Sequence, residues 1–473
     1  MGWEAGEKAT VCSSGGSYTT IQAAINAATS GSTITVCAGT YKERITTSGK
    51  TLTITGAGAS TTILDANNSG TAFKVTGSGK ITLSGITVTK AKTGGIYCKD
   101  STLTISSSTV TANKSSSGGG GLYAYNCVLD VSGATFSANT SSSRGAGIYA
   151  ENSSGTVSGS AFTSNTASSK GGGISLKSGT LLLDGNTFTG NKGTHGGGVY
   201  IEADSDVTNN VFSANTCTYH GGGIYNYSGD GDYTGNDFTG NVAGEDGGGL
   251  YITASYAYIA DNTFSENDAV DDGGGFRSLS SFATIERNTF DGNSAGDSGG
   301  GAKISHKYGT FTDNVLTDNV AVGKGGGLVL DEDTSLVSGC TFDGNAADIG
   351  GGVYQNGGWR FAVIEDSEFT GNTATTKGGG MAVSVSPYGV QTNRVIFTAN
   401  VSPYGAAIHS DTSKLRIYNT LIDWNIASAA GGGVYALTGD TDILNSVFYR
   451  NSSAWGSGLY AYNLTGAGVR NSV

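Results

Sequence analysis

The chain has 473 residues, 38 acidic against 26 basic side chains, and a net charge of −12. So acidic a chain lacks a phosphate-binding footprint, and we do not expect nucleic acid as a partner. No apolar run reaches the roughly 18 residues of a membrane-spanning helix, so the chain is not expected to span a membrane.

The first predicted element is a short helix after Thr20. Thr20 suits the N-cap position, and Ile21, Ala24, Ile25 and Ala28 form an apolar stripe at helical spacing. Because an open solenoid end exposes its core and its strand edges, we expect this helix to plug that end. We assign residues 1–66 to an N-terminal cap with the first coils, and residues 67–473 to regular coils.

Six cysteines are present, and two of them suggest a disulfide. Cys12 and Cys37 end two similar runs, Ala9–Cys12 and Ile34–Cys37. If these runs pair as neighbouring strands, a disulfide is feasible, and it would indicate an oxidising compartment. The spacings of the other cysteines fit no zinc site, and we expect small, mostly buried side chains. They are Cys98, Cys127, Cys217 and Cys340.

The N-terminal residues resemble a known family. Tyr18–Ile25 followed by Ile34–Glu43 is similar to the opening of pectin-lyase-like right-handed β-helix proteins, although Ala38 stands where proline is usual. The resemblance covers the cap and the first coils. It implies a right-handed, capped coil and no particular activity.

Two signatures repeat in step from Gly94 onward. One is a triple-glycine box such as Gly247–Gly249, and the other is a large apolar residue, two variable residues and asparagine, as in Phe162–Asn165. From Gly147 to Gly173 the step is 26 residues. Two signatures locked to one period indicate a solenoid.

The residues between the signatures predict strands. Val199–Glu202 alternates inward and outward positions, as do the equivalent residues of other repeats. A second strand precedes each phenylalanine and a third contains it. The predicted fold is therefore all-β: a single parallel β-helix of about 26 residues per coil, whose stacked coils lie about 4.8 Å apart. The resemblance of the N-terminal residues implies that it is right-handed.

The two signatures have structural roles in this fold. The first and third glycines of each box are expected to need a positive φ or a close backbone contact. Each asparagine suits a left-handed corner and is expected to stack into an amide ladder. The last coil reaches Val473 with no cap, which predicts a continuation, a truncation or a head-to-tail partner.

The repeats also resemble those of the polymorphic outer-membrane proteins of chlamydiae and of related bacterial surface β-helix proteins. The resemblance rests on the phenylalanine–asparagine motif alternating with the glycine box. It implies an extracellular or cell-surface location and an adhesin-like role.

A tyrosine column is the first candidate site. Tyr200, Tyr225 and Tyr251 are expected to point outward on successive coils, with Tyr227 beside them. Such a flat amphipathic strip could hold a cell-surface sugar or a protein partner. The alternative is an aromatic ladder that only stabilises the sheet.

A second candidate lies just before the glycine box. His195, His220, Asp246 and Asp272 occupy this position on four successive coils. Stacked about 4.8 Å apart, they could bind a divalent cation such as calcium or act as an acid/base pair. The alternative is a solvated, charged corner. No other cofactor is predicted.

Catalysis is not favoured by the outward columns. Glu151 and Glu202 are expected roughly 9.6 Å apart, a spacing that suits an inverting pair of carboxylates, but no arginine or histidine flanks them there. We therefore expect a secreted or cell-surface adhesive rod rather than an enzyme. The alternatives are a polysaccharide lyase or hydrolase and a subunit of a head-to-tail surface polymer.

Overall fold

The computed structural model describes residues 8–253, 255–279, 282–305, 309–331, 335–357, 361–384, 388–411 and 413–473. They form an all-β parallel β-solenoid of about 17 turns with about 26 residues each and one short helix, which confirms the predicted fold class. Two compact units are present, unit 1 (Met1–Gly231) and unit 2 (Asp232–Val473). The predicted boundary at residue 66 lies within unit 1. The first seven residues of the predicted cap lie outside the described residues.

Each regular coil contributes one strand to each of four sheets. Sheet 1 follows the glycine box, sheet 2 comes next, sheet 3 contains the phenylalanine, and sheet 4 follows the asparagine. The prediction of three strands per coil missed sheet 4, because many of its strands have only two residues and show no alternation. Pairing between coils is parallel and aligns equivalent residues, as at Tyr149, Ser175 and Tyr200.

Unit 1 contains the helix Ile21–Ala27 and four sets of strands. Sheet 1 consists of Ile45–Ser48, Phe73–Thr76, Ile96–Lys99, Leu122–Tyr125, Ile148–Glu151, Ile174–Leu176, Val199–Ile201 and Ile224–Asn226. Sheet 2 consists of Lys8–Val11, Ser32–Val36, Leu52–Gly56, Lys80–Ser84, Thr102–Ser106, Val128–Ser132, Ser153–Ser158, Gly179–Asp184 and Val207–Thr208. Sheet 3 consists of Gly39–Tyr41, Thr62–Ser69, Thr87–Ala91, Thr109–Thr111, Thr135–Ser137, Ala161–Thr163, Thr187–Thr189 and Val211–Ser213. Sheet 4 consists of Lys114–Ser115, Thr140–Ser141, Thr166–Ala167, Lys192–Gly193 and Thr216–Cys217.

Unit 2 repeats the same order of strands. Sheet 1 consists of Leu250–Thr253, Phe276–Leu279, Ala302–Ser305, Leu328–Asp331, Val353–Asn356, Met381–Ser384, Ile408–Ser410, Val434–Ala436 and Leu459–Ala461. Sheet 2 consists of Gly231–Thr234, Tyr256–Ala260, Phe282–Glu286, Gly309–Thr312, Ser335–Ser338, Ala362–Glu365, Val390–Asn393, Leu415–Tyr418, Gly439–Leu444 and Leu464–Arg470. Sheet 3 consists of Asp237–Thr239, Thr263–Ser265, Thr289–Asp291, Val315–Thr317, Thr341–Asp343, Glu368–Thr370, Ile396–Thr398, Leu421–Asp423 and Val447–Tyr449. Sheet 4 consists of Val242–Ala243, Asp268–Ala269, Ser294–Ala295, Val320–Ala321, Ala346–Ile349, Thr373–Lys377, Val401–Tyr404 and Ile426–Ala430.

The predicted helix closes the first coils through polar contacts at both of its ends. Thr20 is the N-cap and accepts a hydrogen bond from the Ala23 amide at 3.2 Å. The Glu43 carboxylate accepts the Ile21 and Gln22 amides at 2.7 and 2.9 Å, which satisfies donors that a helix leaves free at its start. At the other end, Lys50 Nζ donates to three backbone carbonyls. The helix therefore lies fixed over the core with its apolar stripe buried.

The predicted asparagine ladder is present in both units. The Asn165 side chain accepts from the backbone and side-chain amides of Asn139, at 3.1 and 3.0 Å. Its own Nδ2 donates to the Phe136 carbonyl and to Asn191 Oδ1, both at 2.9 Å. Because each of these side chains is buried, the ladder satisfies polar groups that would otherwise be costly. In unit 2 it runs from Asn241 to Asn451.

One detail of the predicted corner is wrong. The left-handed residue is the one before the ladder asparagine: Ala138 has φ 52° and Ser164 has φ 54°. The asparagine itself turns inward to reach the next coil. We call the left-handed position the corner position.

The first and third glycines of the box have the roles that the sequence predicts. Gly171, the first glycine of its box, has φ +67°, which a residue with a Cβ adopts only at a cost. A Cβ on Gly173, the third, would lie 2.7 Å from the Gly198 carbonyl oxygen of the next coil. The box thus lets consecutive coils approach closely.

Stacked phenylalanines fill the core beside the ladder. In unit 1 the rings of Phe136, Phe162, Phe188 and Phe212 have centroids 4.8–5.1 Å apart and lie almost parallel. All four are fully buried. The phenylalanine–asparagine motif therefore supplies both the apolar and the polar interior of each coil.

Four of the six cysteines form disulfides. Cys12 and Cys37 are bonded, with their Cα atoms 5.0 Å apart. Cys98 and Cys127 also form a disulfide, with Cα atoms 6.4 Å apart, which corrects the expectation that both are merely buried thiols. Their separation of 29 residues crosses from sheet 1 to the turn before sheet 2, so no column of the repeat reveals the pair. Cys217 and Cys340 are buried, as expected.

Asn165→Ala should destabilise unit 1 strongly. The change leaves the Asn139 amides and the Phe136 carbonyl without their partners inside the core, at about 1–3 kcal/mol for each unsatisfied group. Urea unfolding followed by amide hydrogen exchange in the flanking coils measures the loss. Asn209→Gly is the control, because Asn209 is exposed and left-handed with φ 56°. Equal effects of the two changes would contradict a structural role for the ladder.

Candidate functional site

The predicted tyrosine strip is not an open surface. Tyr200 is fully buried and Tyr225 is 7% exposed, whereas Tyr227 is 51% exposed. The tyrosines point away from the core but lie beneath side chains of the turn before the glycine box, including His195, whose ring lies 5.5 Å from that of Tyr225. Tyr251 belongs to unit 2 and is also buried. Of the four predicted ligand-binding residues, only Tyr227 offers a large exposed ring.

A charged cluster in unit 1 surrounds Glu202. Its carboxylate accepts hydrogen bonds from Arg144 Nη1 at 2.7 Å, Tyr200 OH at 2.7 Å and Lys170 Nζ at 3.0 Å. Lys170 also donates to Tyr200 OH at 2.6 Å. Burial alone would raise the pKa of Glu202, but the hydrogen bonds from Arg144, Tyr200 and Lys170 outweigh it and lower the pKa. Glu202 is therefore ionised at neutral pH.

Glu151 has a similar environment on the same face. Lys177 Nζ lies 2.5 Å from one carboxylate oxygen, and the hydroxyls of Tyr123 and Tyr149 donate to the other at 3.1 Å. The hydrogen bond from Lys177 is the main reason that the pKa of Glu151 is lowered. Burial and the neighbouring carboxylate raise the pKa of Tyr123 to about 12. Each carboxylate is thus charged and each tyrosine neutral.

The basic residues of this face were partly missed from the sequence. Lys170 is the residue immediately before its glycine box. Arg144 occupies the same position one coil earlier. The sequence search looked for basic partners only among the outward residues of sheet 1, so Arg144 was not connected with Glu202, 58 residues away. Extending the column before the box back by one coil would have found it.

The two histidines of unit 1 lie in the turns before the glycine boxes of two successive coils. The His195 and His220 rings have centroids 5.7 Å apart, and His195 also contacts Tyr219 at 5.0 Å. Burial, helped by His220 and Lys170, lowers the pKa of His195 to about 4. His195 is therefore neutral at physiological pH.

The structure places the four residues of the predicted cation site in two different units. His195 and His220 belong to unit 1, whereas Asp246 and Asp272 belong to unit 2. In unit 2, Lys303 Nζ lies 2.8 Å from Asp272 Oδ2, so a lysine already neutralises this carboxylate. Across the described ranges, no group of three or more His, Cys, Asp or Glu side chains is placed to hold a metal ion.

Neither carboxylate of the unit 1 face has the raised pKa of a general acid. Glycoside hydrolysis needs one carboxylic acid whose pKa is raised, so that it can donate a proton. Both Glu151 and Glu202 have lowered pKa values. A tyrosine base needs a lowered pKa, whereas burial raises the pKa of Tyr200. Arg144, Lys170 and Lys177 keep 25%, 25% and 45% of their side chains exposed, so they can contact a ligand.

The stacked parallel coils and their repeats define the class of protein. The sequence matches the right-handed β-helix region family over residues 115–269, 197–359 and 248–422, which together cover more than half of the chain. The chain belongs to this family. Among curated proteins, no sequence matches the chain significantly.

Solved structures with a similar fold share little sequence with the chain. A mannuronic acid-specific family 6 polysaccharide lyase from human gut microbiota is 11% identical to the chain. The match covers 88% of this chain and 82% of the lyase, with a TM-score of 0.27. The A-module of a mannuronan C-5 epimerase from Azotobacter vinelandii has 15% identity, with coverages of 81% and 94% and a TM-score of 0.25. The Dettilon tailspike protein has 12% identity, with coverages of 82% and 61% and a TM-score of 0.24.

Glu202→Gln should destabilise unit 1. The amide keeps the volume of the side chain but leaves Arg144 and Lys170 without a partly buried anion, and we expect a loss of about 1–3 kcal/mol. The midpoint of urea unfolding measures it. Glu368→Gln is the matched control, since Glu368 is exposed and accepts one local hydrogen bond from Thr370. An unchanged midpoint for Glu202→Gln would show that the cluster does not stabilise the fold.

His195→Phe should reduce the loss of stability in acid. The pKa of His195 is about 4 in the folded chain and about 6.5 when unfolded, so protons bind the unfolded state preferentially between these values. Stability therefore falls as pH falls from 6.5 to 4, and phenylalanine removes this contribution. Thermal unfolding midpoints of both proteins at several pH values measure the difference. Parallel curves over this range would contradict the shifted pKa.

Proposed function

We propose that the chain is an extracellular, non-catalytic β-helix protein that binds an acidic polysaccharide on the sheet 1 face of unit 1. The proposal depends on one observation: two carboxylates hold Arg144, Lys170 and Lys177 in place, while these basic side chains remain partly exposed. Three cations against two anions leave one net positive charge, on a chain whose total charge is −12.

An exposed aromatic ring completes the proposed site. Lys170 Nζ lies 5.7 Å from the ring centroid of Tyr227. A sugar ring stacked on Tyr227 would place an acidic substituent near Lys170 and Arg144, because tyrosine gives rigid contact area and the cations give charge complementarity. Tyr219, 41% exposed, extends the aromatic surface.

Two disulfides support the proposed location. Structural disulfides persist in oxidising compartments and are rare in the cytosol, and both bonded pairs lie in unit 1. In the part of the chain that the structure describes, no helix is long and apolar enough to cross a membrane. The resemblance of the repeats to those of surface β-helix proteins agrees with display outside the cell.

Tyr227→Ala should weaken binding of oligogalacturonate or alginate fragments about tenfold, equivalent to about 1.4 kcal/mol. Titration calorimetry measures the affinity, which should also fall with added salt because exposed charges are screened. Tyr256→Ala is the control, since Tyr256 is also exposed, at 64%, but lies in unit 2.

Two results would refute the proposal. One is that neither acidic fragment binds to the wild-type protein. The other is that the wild-type protein releases unsaturated or reducing products from these fragments and Glu202→Gln abolishes their release, which would establish the lyase or hydrolase alternative.

A further inference from the structure

The corner position of the last coils carries unusually large side chains. In unit 2 it is occupied by glycine, alanine or an acidic residue until Trp424 and Arg450. The earlier members are Gly240, Glu266, Gly292, Asp318, Gly344, Gly371 and Ala399. Trp424 has φ 56°, a left-handed conformation that disfavours a large side chain. Trp424 is 51% exposed, so about half of a large aromatic side chain faces solvent at this corner.

Trp424 belongs to a rigid surface cluster. The Arg450 guanidinium carbon lies 4.7 Å from the Trp424 ring centroid and 4.5 Å from that of Tyr449. Asp423 holds the guanidinium through two hydrogen bonds, at 3.1 and 2.5 Å. The cluster thus presents aromatic surface next to an arginine whose charge Asp423 neutralises.

The coils before Trp424 leave open space beside it. Ala399 and Gly371 occupy the corner on the two preceding coils, which places about 10 Å of bare corner below the ring at about 4.8 Å per coil. Asp318 ends this stretch on the far side, where its carboxylate lies over Gly344.

Polar groups line one side of the open stretch. Thr370 and Thr398 follow the phenylalanines of sheet 3 on these coils and are partly exposed, and Asp343 precedes them in the same column and is exposed. Hydroxyl and carboxylate groups beside an aromatic wall match the alternating hydroxyl and C–H surface of a sugar ring. The two carboxylates, Asp318 and Asp343, would repel an anionic sugar, so the charges favour a neutral one.

We infer that this corner of unit 2 binds a neutral oligosaccharide, with one sugar ring stacked on Trp424 and the next along Ala399 and Gly371. The inference does not depend on the proposed function, because it concerns the other unit and a ligand of different charge.

Binding of cellohexaose, laminarihexaose, mannohexaose and maltohexaose tests it, by titration calorimetry and by the tryptophan fluorescence change. At least one of these probes should bind the wild-type protein. Trp424→Gly should weaken that binding at least tenfold. Ala399→Trp should do the same by filling the open stretch, and Tyr227→Ala in unit 1 should leave it unchanged.

Stability measurements separate a binding role from a structural one. Glycine adopts the left-handed conformation readily, so Trp424→Gly should keep or raise the thermal unfolding midpoint while it removes binding. A lowered midpoint would identify Trp424 as a structural residue and overturn the inference. The inference would also be overturned if none of the four probes bound, or if binding were unchanged in Trp424→Gly and Ala399→Trp. A wild-type dimer that dissociates in Trp424→Gly would overturn it as well.

Discussion

The hydrogen bond that each buried asparagine makes to the next coil sets the register of the stacked coils. Within each unit the side-chain amide of one ladder residue donates to the Oδ1 of the next. A buried amide without this partner is costly, so the ladder residues stay aligned even where the coil changes length. The step is 24 residues from Asn191 to Asn215 and 28 from Asn372 to Asn400. Differences in length are absorbed elsewhere in the coil.

A fixed register makes neighbours of residues that are far apart in sequence. Glu202 meets Arg144 across 58 residues, because each lies at a defined position in its coil and two coils separate them. The outward face of sheet 1 can therefore combine side chains from several coils without any special loop. The same geometry explains why charges in this face are paired: side chains about 4.8 Å apart along a column would otherwise repel each other.

The repeat made the interior of the coil predictable. Phe162 and Asn165 recur with the period, and both lie in the core as the sequence suggests. The exposure of outward residues was harder to predict, since Tyr200 has the alternation of an exposed position but is covered by the turn before the glycine box. Two features were not predicted correctly. The Cys98–Cys127 disulfide joins different positions of two coils, and the inward turn of the asparagine shifts the left-handed conformation to the preceding residue.

That shift determines where the solenoid can vary its surface. Because the ladder asparagine must turn inward, the residue before it is held in a left-handed conformation and points away from the core. Glycine adopts this conformation readily, a small residue such as Ala138 places only a methyl group there, and most coils have one or the other at this position. A large side chain there adds nothing to the ladder, and the backbone opposes it. Trp424 and Arg450 depart from this pattern. Arg450 bonds to Asp423 and lies over the Trp424 ring, and about half of Trp424 stays exposed, so the corner of these coils carries aromatic surface that the earlier corners of unit 2 lack.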